Sequence, residues 1–154
     1  MRGPLTPDLE QALAALARSW PAVDVLVLFG SAQSGRVGPE SDIDLYVRLS
    51  GEPSREEEQR FVAEASAIVG REVDLVVESA RTSVILRREV AAKGRPLFER
   101  RAGALRDLRA DAIRAYVDLE PQLRVIGAAI RARALAEGEA ARRRLASREA
   151  ARGR

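Results

Sequence analysis

The chain of 154 residues has no cysteine and no histidine. Their absence removes disulfide scaffolds, thiol nucleophiles, imidazole general bases and the usual zinc ligand sets together. Any catalysis must therefore run on carboxylates, hydroxyls, Arg/Lys and oxygen-bound metals. Long apolar runs are also missing. Nothing approaches the roughly 20 apolar residues of a membrane span, and Met1 to Leu16 carries acids and a proline where a secretion signal would be apolar, so a soluble cytoplasmic protein is expected. Aromatic side chains make up only 4% of the chain and are not interleaved with its arginines, so single-strand nucleic-acid binding is not favoured.

Charge is plentiful but uneven. Residues 1–99 carry 12 Lys/Arg against 16 Asp/Glu, whereas residues 100–154 carry 14 Arg against 7 acids. Clustered arginine attracts anions, but an Ala/Arg-rich solvated helix explains the same composition, and nucleic acid is not expected as a partner. The length suits one domain with an appendage. The expected division is a domain over 1–99, an amphipathic helical extension over 100–136 and an Arg/Ala-rich tail over 137–154, frayed helix or disordered.

Thr6-Pro7-Asp8 reads as a helix start, with Leu9, Leu13 and Leu16 forming an apolar stripe that ends at Trp20-Pro21. Val23 to Phe29 is short, β-branched and apolar, the pattern of a buried strand, and Gly30 punctuates its end. From Asp42 to Leu49 the sequence alternates strictly, with Asp42, Asp44, Tyr46 and Arg48 on one face and aliphatic residues on the other. Ser54 and Glu57 form a capping box for a helix ending at Gly70, and Val73 to Val77 reads as a third strand. Ser83 to Lys93 predicts a helix closed by Gly94, and Pro96 to Phe98 a short edge strand. Beyond Glu99, Leu105, Leu108, Ala112, Ala115 and Leu119 recur at helical spacing, and Leu123, Ile126 and Ile130 continue the stripe after Pro121, which is expected to kink or interrupt the helix. Such a stripe needs a helical partner or a second copy of the chain to pack on. The fold class is α/β (α+β): a small mixed β-sheet with helices packed on one face, plus a helical C-terminal extension.

Asp42 and Asp44 project from one face of a strand with alpha carbons about 6.5 to 7 Å apart, so both carboxylates can reach one divalent cation. They could also simply solvate an edge strand. What favours chemistry is the segment before them, an apolar strand ending in Gly30-Ser31, where a small residue lets backbone amides approach a phosphate and the serine hydroxyl adds a donor. Asp74 places a third acid in an otherwise apolar strand, where an unpaired buried carboxylate would cost several kcal/mol. Sharing metal with the other two removes that cost; the alternative is a strand-end or surface acid.

The run Phe29-Gly30-Ser31, then Gly35, Pro39 and Ser41-Asp42-Ile43-Asp44-Leu45, with Val73-Asp74-Leu75 later, resembles the minimal nucleotidyltransferases of the polymerase beta superfamily, across roughly residues 5–99. The resemblance implies a nucleotidyltransferase fold in which Gly30 and Ser31 contact a nucleoside triphosphate. It implies too that Asp42 and Asp44 hold two Mg²⁺ ions, and that Asp74 binds one metal and helps deprotonate the acceptor hydroxyl. An arginine commonly precedes the loop glycine in that family; here Ser34 stands before Gly35 and Arg36 follows it, either substituting as the phosphate contact or lying solvated in the loop. Small proteins of this kind are often antitoxins paired with a HEPN-type toxin, which they silence by transferring AMP from ATP to a tyrosine. The alternatives are nucleotidylation of a small molecule of the aminoglycoside type, and a catalytically idle antitoxin that acts by binding alone. Homo-oligomerisation through the C-terminal helix is a further expectation.

Overall fold

The computed structural model describes residues 5–33 and 41–152. The first helix, α1 (Pro7–Ser19), starts where proline at the first position costs no hydrogen bond and the Thr6 hydroxyl accepts from the Leu9 amide. β1 (Val23–Phe29) follows and runs directly into a single helical turn, α2 (Gly30–Gln33). β2 (Ile43–Leu49) leads through a reciprocal Ser54/Glu57 capping box into α3 (Arg55–Val69), which Gly70 closes with φ 65°. Then come β3 (Val73–Val77), α4 (Val84–Lys93), β4 (Arg95–Glu99) and α5 (Ala104–Arg152).

The sheet has the order β3-β2-β1-β4. β1 pairs antiparallel with both β2 and β4, and β2 pairs parallel with β3, so the sheet is mixed as expected. One face is the expected helix-packed one: Leu13, Leu16 and Ala17 of α1 and Phe61, Ala65 and Val69 of α3 bury Leu26, Leu28, Ile43, Leu45 and Val47. The opposite face has its own smaller core, in which Val90 of α4 and Ala104 and Leu108 from the start of α5 pack with Val25, Val27 and Tyr46. The beginning of the C-terminal stripe therefore belongs to the core. Arg100 ties the sheet to α1, donating to the carbonyls of Val23 and Trp20 at 2.7 Å each.

Pro121 does not interrupt its helix: α5 continues through it. Proline has no amide to donate, so one backbone bond of the helix is lost at this position. The chain divides into two compact units, Met1–Tyr116 and Val117–Arg154, at a boundary that precedes Pro121. Among the described residues no helix is long and apolar enough to cross a membrane.

Candidate active site

β-strand register assembles the acids. Asp44 of β2 lies opposite Phe29 of β1 on one side and opposite Asp74 of β3 on the other. Residues directly opposite in a ladder share a face, so the Asp44 and Asp74 side chains stand next to each other on adjacent strands. Asp42 precedes β2 by one residue, two before Asp44, and is exposed. All three therefore lie at the end of the sheet where β1 finishes and β2 and β3 begin; Asp74 is exposed, so the burial cost expected of an acid in its apolar strand does not arise.

Asp44 registers this crowding. It is half-buried, and desolvation, then the charge of Asp74, then that of Asp42 push its carboxyl above the ordinary carboxylate range. Like charges this close favour a proton or a cation between them.

Gly30 completes the arrangement from β1. Its φ of 69° lies in the left-handed region, and a Cβ on it would collide with the Asp44 carboxylate. A glycine is thus required twice over, by backbone conformation and by close approach. Ser31 follows on the exposed side of α2. Gly35, Pro39 and Arg36 fall outside the described residues, and with them the phosphate contact expected of Arg36.

The donor set suits a hard cation: oxygen atoms only, with no thiol or imidazole in the chain. Among the described residues no three acidic side chains converge tightly enough to cage a metal by themselves. That geometry still fits Mg²⁺, which keeps several waters and is bound through one or two carboxylates plus substrate phosphates, not by a closed protein cage. Asp44 with Asp74, and Asp44 with Asp42, are the pairs that would hold it.

The same sheet face carries a second polar cluster that the alternation along β2 did not reveal. The Arg48 guanidinium forks onto Glu78 at 2.6 and 2.8 Å, Arg87 of α4 donates to the same carboxylate at 3.0 Å, and Asp111 of α5 takes another Arg48 nitrogen at 3.0 Å. Tyr46 lies between the clusters, edge-on to Phe29 at 6.4 Å between ring centres. Burial, and then the Glu78 charge, push its hydroxyl pKa up. An apolar cleft of about 170 Å³ lined by Trp20, Val47, Phe61 and Val77 lies at the opposite end of the strands from the acids.

Residues 11–102 match the family model described as polymerase beta, nucleotidyltransferase. Among solved structures, the chain resembles one of a toxin–antitoxin pair with AMP-PNP: TM-score 0.67, 23% identity, covering 76% of this chain and 94% of that one. A toxin–antitoxin MntA–HepT structure follows with TM-score 0.64 and 20% identity over 79% of this chain and 95% of that one. A third, a tri-AMPylated Shewanella oneidensis HEPN toxin in complex with MNT antitoxin, gives TM-score 0.62 and 21% identity over 77% and 92%. At these identities the likeness is one of fold. No curated protein sequence matches the chain. The family match spans more than half the chain and ends on either side of the sheet that carries Gly30, Asp42, Asp44 and Asp74, and by it the chain belongs to the polymerase beta nucleotidyltransferase family.

Proposed function

We propose that the chain is a metal-dependent adenylyltransferase that acts as an antitoxin, moving AMP from ATP onto a tyrosine hydroxyl of a HEPN-type toxin. The observation that carries the transferase reading is Asp44, held in register beside Asp74 and against Gly30, with a carboxyl that burial and then the neighbouring acids push above the ordinary carboxylate range. The partner reading rests on the resemblance to toxin–antitoxin structures, one with AMP-PNP and one with a tri-AMPylated toxin.

In this reaction the acceptor oxygen bonds to the α-phosphorus, the bond to the bridging oxygen breaks, and pyrophosphate leaves. Mg²⁺, bound as two ions, would lower the pKa of the acceptor hydroxyl and neutralise charge on the leaving group. The residues of the chain hold and orient. Gly30 lets the Asp44 carboxylate sit against the backbone where β1 ends, with Ser31 beside it as a hydroxyl donor to the triphosphate. Asp42 and Asp44 supply oxygen ligands from one strand end. Asp74, on the neighbouring strand, would help take the acceptor's proton, and Arg36 would contact the phosphates.

Intact-mass analysis of a co-expressed HEPN-type toxin, incubated with this protein, ATP and Mg²⁺, tests the reading. One or more AMP additions that vanish with Asp42→Ala are expected. No mass gain on the toxin, with transfer to a small alcohol or aminoglycoside instead, would replace the protein acceptor by a small molecule. No transfer to any acceptor despite toxin binding would leave an antitoxin that acts by binding alone.

A further inference from the structure

The cleft at the opposite end of the strands from the acids is preformed. Three of the residues that line it, Val23, Val47 and Phe61, are buried members of the core. Its rims are pinned as well. Ser50 donates to the Ala22 carbonyl through its amide at 2.8 Å and its hydroxyl at 3.3 Å, and the Ser54/Glu57 capping box fixes the start of α3. A space of about 170 Å³ has room for one ring, since an apolar cavity of about 150 Å³ takes a benzene. Trp20 and Phe61, edge-on with ring centres 5.4 Å apart, offer that ring aromatic walls.

The charge around this space has one sign. Glu52, Glu57 and Glu58 line the cleft, and no lysine or arginine does. Glu57 is engaged: it accepts from the Ser54 amide at 2.7 Å and has the charge of Arg60 within reach. Glu52 and the half-buried Glu58 make no hydrogen bond or ion pair through their carboxylates among the described residues. A concave apolar site with two unanswered carboxylates at its edge repels anions and draws cations. Its complement is an apolar body of one ring that carries a positive charge.

We propose that this cleft binds a small organic cation, a primary amine bearing one aromatic ring, with the ring in the apolar space and the ammonium toward Glu52 and Glu58. The proposal does not depend on the transferase reading, because no residue of the acidic cluster lines the cleft, and a protein that proves inactive can still bind the amine.

Trp20 is the one tryptophan of the chain, so its fluorescence reports on the cleft directly. Titrating the full-length protein with 2-phenylethylamine should change the Trp20 emission to saturation. The same ring without the charge, 2-phenylethanol, should bind about fivefold more weakly, the upper range for an ion pair in contact with water, and the anion 3-phenylpropionate more weakly again. Added salt should narrow the gap between amine and alcohol. The double variant Glu52→Gln with Glu58→Gln should bind the amine no better than the alcohol, while its affinity for the alcohol stays that of the parent. An amine response that never saturates is collisional contact and overturns the proposal. Equal binding of the three probes overturns it too, as does a double variant that still prefers the amine. Trp20 emission that ignores the amine but follows protein concentration would give the cleft to a second copy, and emission that changes only with a HEPN-type toxin would give it to that partner; either result replaces the small cation as occupant.

Discussion

Along β2, Asp44, Tyr46 and Arg48 lie on one face of the sheet, yet Asp44 stands among like charges while Arg48, four residues on, is gripped by two carboxylates. At the Arg48 end every large charge has an opposite partner: Glu78 takes Arg48 and Arg87, and Asp111 takes Arg48 again. At the Asp44 end the nearest charges are Asp74 and Asp42, and a glycine is spent to bring a main chain against the carboxylate. The first arrangement is stable by itself. The second leaves like charges together, a crowding that a bound cation would relieve, and it is this contrast, not the presence of charge, that marks a candidate binding site off from a structural network.

Neutralising the frustrated end should have the largest effect on activity and a small favourable one on stability. Asp44→Asn is expected to lower nucleotide transfer on the order of a thousandfold, the equivalent of the several kcal/mol of charge stabilisation that a bound metal supplies. Its thermal midpoint at pH 7 should rise, by roughly one to three degrees. The sign follows from the raised carboxyl. Between the unfolded value near 3.8 and the higher folded value the native state holds more protons than the unfolded one, so stability falls as pH climbs through that window. Below the unfolded value the penalty is gone, and the stability difference between Asp44→Asn and the parent should close there. Mg²⁺ at neutral pH should stabilise the parent and leave the variant unmoved; equal stabilisation of both would place the cation elsewhere.

Breaking the satisfied end should do the reverse. The Glu78 side chain is 11% exposed and holds two arginines that are about four-fifths buried. Glu78→Gln leaves Arg87 without its carboxylate and Arg48 with only the more exposed Asp111, and urea unfolding should show a loss of about 2–3 kcal/mol, a hydrogen-bonded charge pair's worth. Transfer per folded molecule should hold within a few fold. A variant with normal stability and no activity would mean that this cluster serves the reaction after all.

Gly30→Ala joins the two kinds of effect. A side chain at φ 69° costs about 1–2 kcal/mol, and the new methyl group must displace the Asp44 carboxylate. Both stability and transfer should fall, and Asp44→Gly in the same chain should restore much of the stability while leaving activity absent.

How much of this could be read from the chain depends on how local each cause is. The α3 cap is written in Ser54 and Glu57, three residues apart, and the bounds of β3 in five residues of which four are apolar, so both follow from sequence alone. Asp42 and Asp44 are legible for the same reason, since alternation places them on one face. That Asp74 stands directly beside Asp44, and that Gly30 faces the Asp44 carboxylate, depend on strand order and register, which join residues 30 and 14 positions apart. The Arg48–Glu78–Arg87 cluster is less legible still, because its members come from β2, the end of β3 and α4, and no period links them. Pro121 carries a local signal for a kink or an interruption, and of the two the interruption does not occur, since α5 runs through it.

The smallest effect belongs to Asp111, the outermost partner of the satisfied end. Its side chain is 41% exposed and it reaches Arg48 at 3.0 Å from α5 while also accepting from Arg114. Solvent screens such a pair, and Arg48 keeps its two bonds to Glu78 when Asp111 is removed, so no buried charge is left without a partner. Asp111→Asn should therefore cost no more than about 0.5 kcal/mol, and less in high salt. A double-mutant cycle with Glu78→Gln sharpens the comparison. If the cluster is a network whose members share Arg48, losing Asp111 must cost more once Glu78 is gone than while it is present, because Arg48 then has no carboxylate at all. Additive losses would reduce the satisfied end to one strong pair with a bystander.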